Sequence, residues 1–397
     1  MEINWFCPVR LVFGEGSVKN TGKLLLESKV KSVLLVSGST YTKRSEGYKA
    51  ICASLEGVGI TYSEFGGVKP DPDQDQVRAV VELLKKDGHL ALLAYGGGSP
   101  MDCAKSAALS FANEMDILDI VYGRKIAQKP ALPVFAVPTT AGTGSEMSSA
   151  AVTTDSNAGK KLGFSHPSFF PKIAIVDPEL QYSMPPGLTA ATGMDALTHA
   201  VESFLSIASN PVSEAINLKV VSLIGGSLLK AFADGNNAKA RADMALAAAI
   251  AGMSFAQTGL GMVHGFAHPV GARLGAAHGE ANAVLLPFLL AAYIGHSDAK
   301  MAQLAKAMAP ENDGSPKSLV DKVIAMNKAM GIPGSVKALS EKHGIAAAVA
   351  EKLAPQIVAD ASTYRSRANN PRAFSDDELG KLFAFALKGD IGAVAGL

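Results

Sequence analysis

The sequence predicts two domains, a Rossmann-like α/β domain with a parallel sheet over residues 1–186 and an all-helical domain over residues 187–397. Three observations favour this fold class. Short β-branched runs alternate with helical stretches in the first half, as in βαβ units. After MPPGLTAATG (Met184–Gly193), strand-like runs nearly vanish, and Ala- and Leu-rich stretches with helical periodicity follow. The length of 397 residues also exceeds the size at which one hydrophobic core stops growing.

The first domain contains six runs that are typical of strands. They are Lys31–Gly38, Ile60–Phe65, the run HLALLAY before three glycines, ALPVFAVP from Ala131, Val152–Asp155 and Lys172–Pro178. Stretches with helical spacing separate the earlier ones, which predicts parallel pairing with helices on both faces of the sheet. We interpret Val152–Asp155 as part of a hairpin-like excursion.

Composition and charge exclude several classes of protein. The chain is 48% hydrophobic and 18% charged, and its net charge of +1 gives no reason to expect a nucleic acid or an anionic membrane as a partner. Cys7, Cys52 and Cys103 are too few and too scattered for a disulfide framework or a Cys-based zinc site. We therefore expect a protein of the reducing cytoplasm.

Neither a targeting segment nor a membrane span is expected. The N-terminal stretch MEINWFCPVR contains an early Glu and a Pro and has no long apolar run. The most apolar stretches begin at Met244 and Ala281, and Pro287 interrupts the second. Both are shorter than the ~20 residues that cross a bilayer, so we interpret them as buried helices.

The tract AYGGGSPMDCAK (Ala94–Lys105) follows a predicted strand and is a candidate phosphate site. Gly96–Gly98 allow a tight turn and a close approach of a ligand to the backbone. Ser99 suits an N-cap, Pro100 the first helical position, and Asp102 would complete a capping box. The N–H groups of that helix end would suit a pyrophosphate. The alternative is a turn with a purely structural role. The tract differs from the G-x-G-x-x-G fingerprint of dinucleotide-binding sites, so it does not identify the cofactor.

A second turn, PTTAGTGSE (Pro138–Glu146), carries the hydroxyl groups of Thr139, Thr140 and Thr143. Both turns would lie outside the carboxyl ends of parallel strands, where ligands collect in α/β sheets. The alternative for Thr143 and Ser145 is an ST-turn, in which the hydroxyl group bonds to the nearby backbone.

The choice of cofactor has one local indication. NAD-selective sites usually carry an acidic side chain at the end of an early strand. Here Ser37–Thr40 ends the first predicted strand, with Lys43 and Arg44 just beyond it and no acid. The segment leaves room for the 2′-phosphate of NADP. Lys161 is expected, on the residues alone, to be a solvated surface charge.

Residues Thr189–His278 contain four of the eight histidines and predict a divalent metal site. Asp195 and His199 are four residues apart, as are His264 and His268, and such pairs share one face of a helix. With His278 the cluster has five candidate ligands, and a carboxylate with imidazoles suits Fe²⁺ or Zn²⁺. A catalytic ion keeps an open position, so one histidine would handle protons instead, but spacing does not say which. Core or capping histidines are the alternative.

These motifs resemble those of the iron-containing (group III) alcohol dehydrogenase family, in family order and nearly end to end. The matching segments are GGGSPMDCAK, PTTAGTGSE, VDPEL (Val176–Leu180), AATGMDALTHAVE, GMVHGFAHPVG, HGEANAVLLP and NPR (Asn370–Arg372). The resemblance implies a dehydroquinate synthase-like architecture, with a Rossmann-like domain, a helical domain, and a cleft for a nicotinamide cofactor and the metal.

The resemblance also implies a role for each site residue. The implied metal ligands are Asp195, His199, His264 and His278, and His268 would be the histidine near the nicotinamide that is not a ligand. The implied dinucleotide contacts are Gly97, Gly98, Ser99, Thr139, Thr140 and Lys161. The resemblance thus changes the interpretation of Lys161 from a surface charge to a ribose or phosphate contact.

Two departures from the family pattern bear on specificity. Gly38 replaces the common acidic residue after the first strand, which puts NAD selectivity in doubt. The frequent Pro-His-Gly reads Ala277-His278-Gly279, and Arg273 stands where an apolar or aromatic residue is frequent. Arg273 could pair with an anionic group on a short aldehyde, or it could be a surface arginine.

We interpret the chain as a metal-dependent oxidoreductase that transfers a hydride between NAD, or NADP, and a primary alcohol/aldehyde pair. The expected ion is Fe²⁺, with Zn²⁺ as the alternative. A hydroxyacid–oxoacid transhydrogenase is a rival interpretation, and a dehydroquinate synthase-type lyase is a weaker one. The expected partner is a small-molecule alcohol or aldehyde, and we expect a homodimer or a higher homo-oligomer.

Overall fold

The computed structural model describes residues 3–38 and 44–397. Apolar and β-branched runs in these residues form eight strands. They are β1 (Arg10–Phe13), β2 (Ser32–Ser37), β3 (Thr61–Phe65), β4 (Leu92–Gly96), β5 (Val134–Pro138), β6 (Ala150–Asp155), β7 (Lys160–Ser165) and β8 (Ile173–Val176). Six of them form one sheet in the order β1-β8-β5-β4-β2-β3, and every neighbouring pair is parallel. The predicted parallel α/β architecture is confirmed, although β1, whose apolar run is only three residues long, and β7, which Gly163 interrupts, were not predicted.

The remaining two strands form the predicted hairpin. β6 and β7 pair antiparallel, from Ala150 opposite Ser165 to Asp155 opposite Lys160. This hairpin lies outside the six-stranded sheet.

Helices cover both faces of the sheet. The helices of this part of the chain are α1 (Thr21–Glu27), α2 (Glu46–Glu56), α3 (Gln74–Asp87), α4 (Gly98–Asn113) and α5 (Ile117–Val121). In β4, Leu93 and Tyr95 join the apolar cluster formed with α1 and α2, whereas Leu92 and Ala94 join the cluster formed with α3 and α4. This alternation is the period of a strand that is buried on both faces.

The strand order reverses beside β2, because β3 lies on one side of it and β4 on the other. In open parallel sheets, ligands bind outside the carboxyl ends of strands at such a switch point. Gly96 and Pro138, the last residues of β4 and β5, are partners in the sheet register. The two Gly-rich turns that follow these strands therefore begin side by side.

The chain divides into two compact units. One comprises Trp5–Ser183, and the other comprises Met184–Leu397 together with residues 3 and 4. The sequence-based boundary after Pro186 differs from this division by three residues, and Pro186 itself begins the first long helix of the second unit.

Helices dominate the second unit. They are α6 (Pro186–Leu205), α7 (Pro211–Ala233), α8 (Ala238–Thr258), α9 (Met262–Leu274), α10 (His278–Tyr293), α11 (Asp298–Met308), α12 (Pro316–Ala329), α13 (Val336–Lys342), α14 (Ala347–Ser362) and α15 (Asp376–Lys388). By length and composition α7 could cross a membrane, as could α8 and α9 if they formed one bent span. However, α7 packs against α6, α8 and α11, and the core helix of a soluble protein meets the same criteria.

A buried ammonium group joins α4 to the turn after β5. Lys105 is fully buried, and its Nζ lies 2.6 Å from Ser145 O, 2.8 Å from Ser145 Oγ, 2.9 Å from Ala150 O and 3.1 Å from Ser148 O. Asp102 accepts from Ser145 Oγ at 2.8 Å in the same cluster. Burial lowers the pKa of Lys105 to about 8, although Asp102 opposes the shift. The cluster fixes the turn against the helix that begins at the Gly-rich tract.

We predict that Lys105→Met lowers the free energy of unfolding by about 3–5 kcal/mol, because it leaves three carbonyl groups without their donor and the buried Asp102 carboxylate without its neighbouring positive charge. Chemical denaturation would measure the change. The matched control is Lys49→Met, which removes an exposed pair with Glu46 and should change stability by less than about 0.5 kcal/mol. Equal losses in the two variants would contradict the prediction.

Candidate active site

Helix α6 presents a carboxylate and an imidazole on one buried face. Asp195 and His199 are one turn apart, and they are 3% and 4% exposed. The helix starts at Pro186, which suits a first helical position, and it is buried almost continuously from Thr189. Two polar groups on such a helix need partners from elsewhere in the fold.

Helices α9 and α10 supply those partners. The Nε2 atoms of three histidines surround Asp195 Oδ1, at 3.7 Å for His199, 3.8 Å for His264 and 3.6 Å for His278. His264 lies in the first turn of α9, and His278 is the first residue of α10. Bonds of about 2.0–2.2 Å in a tetrahedral site put neighbouring ligand atoms about 3.4 Å apart, so these separations are close to those that a bound ion requires.

The pKa shifts in the cluster show that its surroundings favour a positive charge beside an ionised Asp195. Burial alone would raise the pKa of Asp195, but the imidazoles of His199, His264 and His278 outweigh burial and hold that pKa well below its usual range. In His264, burial disfavours the charged ring, but Glu202 and Asp195 prevail and raise its pKa to about 9. Ligand atoms of Asp195, His199 and His264 all lie within 4.8 Å of one another. One carboxylate with imidazoles is a donor set that fits Fe²⁺ or Zn²⁺.

His268 lies one turn after His264 on α9, at the margin of this group. Its ring centroid is 5.2 Å from that of His278, 5.3 Å from that of Tyr364 and 6.2 Å from that of His264. Unlike His264 it is only partly buried. This position suits a group that exchanges protons, because it lies beside the cluster and retains some exposure to solvent.

Two residues of the cluster were missed by the sequence analysis. Asn282 Nδ2 donates to Asp195 Oδ1 at 2.8 Å and lies 3.1 Å from His264 Nε2 and 3.2 Å from His278 Nε2. Glu202 Oε2 lies 2.6 Å from His264 Nδ1. Helical spacing could have indicated both, since Asn282 follows His278 by four residues and Glu202 follows Asp195 by seven.

The Gly-rich tract forms a strand–turn–helix, but its predicted cap is wrong. The N-cap of α4 is Gly97, no side chain bonds to it, and Ser99 and Pro100 lie inside the helix. Asp102 does not bond back to the helix end, because it accepts from Ser145 Oγ and from the Val152 N–H at 3.0 Å. The N–H groups of the first turn are therefore not capped by a side chain, as a phosphate site requires.

The turn after β5 lies against these glycines. A Cβ atom at Gly97 would meet Thr140 Oγ1 at 3.3 Å, and one at Gly98 would meet Thr143 Cγ2 at 2.8 Å. The N–H of Thr139 donates to Gly96 O at 2.8 Å. The structure thus brings the two predicted turns together, and the glycines leave room for the side chains of Thr140 and Thr143. The fit favours a dinucleotide phosphate at this edge.

Lys161 is not the solvated charge expected from the residues alone. Its side chain is 17% exposed, and Nζ lies 2.6 Å from Asp71 Oδ2. The N–H of Asp71 donates to Ser99 Oγ at 3.3 Å, which connects Lys161 to the start of α4. The cofactor contact that the resemblance implies for Lys161 remains a prediction. Of the segment used to assess NADP, Ser39–Lys43 lies outside the described residues.

Sequence profiles of known families match both parts of the chain. The profile described as iron-containing alcohol dehydrogenase matches residues 8–178, and the one described as Fe-containing alcohol dehydrogenase family, C-terminal, matches residues 189–387. The NAD-dependent methanol dehydrogenase of Bacillus methanolicus is 34% identical over 389 residues, which cover 97% of this chain and 100% of that protein. The chain belongs to the iron-containing alcohol dehydrogenase family.

Solved structures of the family have the same fold. A 1,3-propanediol oxidoreductase superposes with a TM-score of 0.90 at 30% identity, covering 98% of this chain and 100% of that one. The sulfoacetaldehyde reductase from Bifidobacterium kashiwanohense, in complex with NAD⁺, gives a TM-score of 0.87 at 29% identity, covering 97% and 99%. The protein is therefore an oxidoreductase of alcohol/aldehyde pairs in an iron-containing, nicotinamide-dependent family.

We predict that His264→Ala and His268→Ala fail in different ways. His264→Ala should lose both metal and activity, because Nε2 belongs to the cluster around Asp195. His268→Ala should keep its metal, while turnover falls by about 10²–10⁴-fold through loss of a proton-transfer group. Metal content by plasma emission and steady-state kinetics on the same samples would separate the two outcomes. Loss of metal from His268→Ala would show that the ligands are wrongly assigned.

Proposed function

We propose that this enzyme interconverts short, uncharged primary alcohols and their aldehydes with NAD, using a divalent ion held by Asp195, His199, His264 and His278. The observation that carries the proposal is the position of the buried Asp195 Oδ1 within 3.8 Å of three imidazole Nε2 atoms in the helical unit. The names of similar proteins support the substrate class, since they include a methanol dehydrogenase and a 1,3-propanediol oxidoreductase.

The proposed ion is Fe²⁺, in agreement with the family, and Zn²⁺ fits the same donors. When bound, it supplies a Lewis acid that polarises the substrate oxygen. Asp195 would provide the negative charge that stabilises a cation at a buried position, and the three histidines would hold it as neutral imidazoles. Asn282 holds the Asp195 carboxylate in position by its hydrogen bond.

We assign proton exchange to His268. Its ring lies against His278 and Tyr364 and is partly exposed, so it can take up a proton near the substrate oxygen and release it to solvent. It would act as a base in alcohol oxidation and as an acid in aldehyde reduction. The buried His264 is unsuited to this role, since Glu202 and Asp195 surround its two ring nitrogens.

The proposed cofactor contacts occupy the carboxyl edge of the sheet. They are Gly97, Gly98, Ser99, Thr139, Thr140 and Lys161. The start of α4 offers N–H groups to the pyrophosphate, and the threonine hydroxyls lie beside it. Lys161 Nζ is paired with Asp71 Oδ2, so we assign it to a ribose hydroxyl, to which it can still donate a hydrogen bond. When bound, the nicotinamide accepts or supplies the hydride.

NAD is the proposed cofactor, because a close relative is NAD-dependent and a similar structure holds NAD⁺. Gly38, at the end of β2, supplies no carboxylate to repel a 2′-phosphate. NADP use is therefore a secondary proposal, and we expect the discrimination against it to be weak.

The decisive experiment records NADH absorbance after addition of a short aldehyde to protein of known metal content. Steady consumption by the metal-loaded enzyme, and its loss after treatment with a chelator, are the expected results. Repetition with NADPH measures the cofactor preference. Consumption only in the presence of a second, oxoacid substrate would favour the transhydrogenase alternative, and no consumption with any aldehyde would refute the proposal.

An anionic aldehyde is the second candidate substrate, since one similar structure is a sulfoacetaldehyde reductase. The charge of Arg273 is already engaged, because Nη2 and Nε lie 2.6 Å and 2.9 Å from Asp360 Oδ2. A guanidinium paired in this way attracts a further anion less strongly. We therefore favour an uncharged substrate.

We predict that Arg273→Ala changes the ratio of kcat/KM for sulfoacetaldehyde and propanal by less than about threefold, about 0.65 kcal/mol in transition-state energy. Steady-state assays of both substrates would measure it. Asp360→Asn is the matched control, since it frees the same guanidinium. A tenfold selective loss on sulfoacetaldehyde in Arg273→Ala, with a selective gain in Asp360→Asn, would assign anion binding to Arg273.

We also propose that the enzyme acts in the cytoplasm as a homodimer or a higher homo-oligomer. Cys7, Cys52 and Cys103 are all free thiols in the described residues, which agrees with a reducing compartment. Sedimentation of the purified protein would measure the oligomeric state.

A further inference from the structure

The two oxygens of the Glu202 carboxylate contact the start of α9 and the imidazole ring of His264. Oε1 accepts from the N–H of Val263 at 2.6 Å, and Oε2 lies 2.6 Å from His264 Nδ1. Glu202 is 4% exposed and His264 is 1% exposed, so solvent cannot readily replace either contact. One side chain of α6 thus holds both the start of α9 and the imidazole that α9 carries.

These contacts determine which nitrogen of His264 carries the proton in the neutral ring. A carboxylate oxygen only accepts, so Nδ1 must donate to Glu202. The opposite nitrogen, Nε2, faces Asp195 Oδ1 at 3.8 Å and the Asn282 amide nitrogen, a donor, at 3.1 Å. An unprotonated Nε2 suits this donor, so Glu202 and Asn282 favour the same tautomer from opposite sides of the ring.

We infer that Glu202 is a positioning residue that selects the Nδ1–H tautomer of His264 and thereby leaves the Nε2 lone pair free to bind the ion. This inference rests on the proposed metal site. Partners of this kind orient metal-binding histidines, and their mutation typically weakens metal affinity by about 10–100-fold.

Asn370 provides a comparison that distinguishes orientation of the His264 ring by Glu202 from support of the start of α9. Asn370 Oδ1 accepts from the N–H of Met262 at 2.9 Å, so the start of α9 has two side-chain acceptors. Only Glu202 also touches the His264 ring. A Cβ atom at Gly261 would lie 2.5 Å from Asn370 Oδ1 and 2.9 Å from Glu202 Oε1, so glycine at this position lets both acceptors approach.

The test compares Glu202→Gln with Asn370→Ala, and both are expected to lower the melting temperature. In Glu202→Gln, one amide oxygen can still accept from Val263, but the amide NH₂ then faces Nδ1. His264 would have to move its proton to Nε2 to accept that donor. We expect Zn²⁺ binding, measured by competition with a chelating dye, to weaken by about 10–100-fold in Glu202→Gln. Asn370→Ala should remain within about threefold of the wild type.

Nitrogen NMR of histidine-labelled protein reads the tautomer directly. The zinc-loaded wild type should show His264 protonated at Nδ1, and metal-free Glu202→Gln should show protonation at Nε2. In the zinc-loaded wild type, protonation of His264 at Nε2 and not at Nδ1 would overturn the inference even if the variant does not fold. So would Zn²⁺ affinity in Glu202→Gln that equals the wild type.

His264→Ala distinguishes this inference from the proposed function. Normal Zn²⁺ affinity in His264→Ala would refute the metal site itself. Loss of Zn²⁺ in His264→Ala, together with normal affinity in Glu202→Gln, would refute only the role of Glu202.

Discussion

The buried carboxylate of Asp195 is the constraint on which the helical unit depends. A charge that is 3% exposed is stable only with compensating partners, and the fold supplies three imidazoles and the Asn282 amide. These partners come from α6, α9 and α10. No single helix supplies all the partners of this carboxylate. The packing of the three helices therefore also determines the geometry of the proposed metal site.

The α/β unit meets a different constraint, which is the close approach of two turns. The turns after β4 and β5 begin at paired residues of adjacent parallel strands, and Gly97 and Gly98 leave space that threonine side chains border. Beneath these turns, the ammonium group of Lys105 bonds to three carbonyl groups and holds the second turn on α4. A phosphate site formed by backbone N–H groups needs such rigid support, since it has few side chains of its own.

Local spacing predicted the wrong hydrogen bond where the competing partner was distant in the sequence. Asp102 fits a capping box by its spacing, yet its carboxylate bonds to Ser145 and Val152, which are 43 and 50 residues away. Lys161 similarly had no local partner in the sequence, but the hairpin of β6 and β7 brings it to Asp71. Local spacing describes what a side chain could do, and packing decides which available partner it takes.

The sequence by itself determined the alternation of strands and helices, the glycine turns and the five candidate ligands Asp195, His199, His264, His268 and His278. These features follow from short periods and residue chemistry, which are local. Only the tertiary structure decided that Glu202 faces His264, 62 residues away, and that Asn282 bridges Asp195, His264 and His278. The orientation of each ring depends on donors and acceptors from other helices, and their positions exist only after the helices have packed.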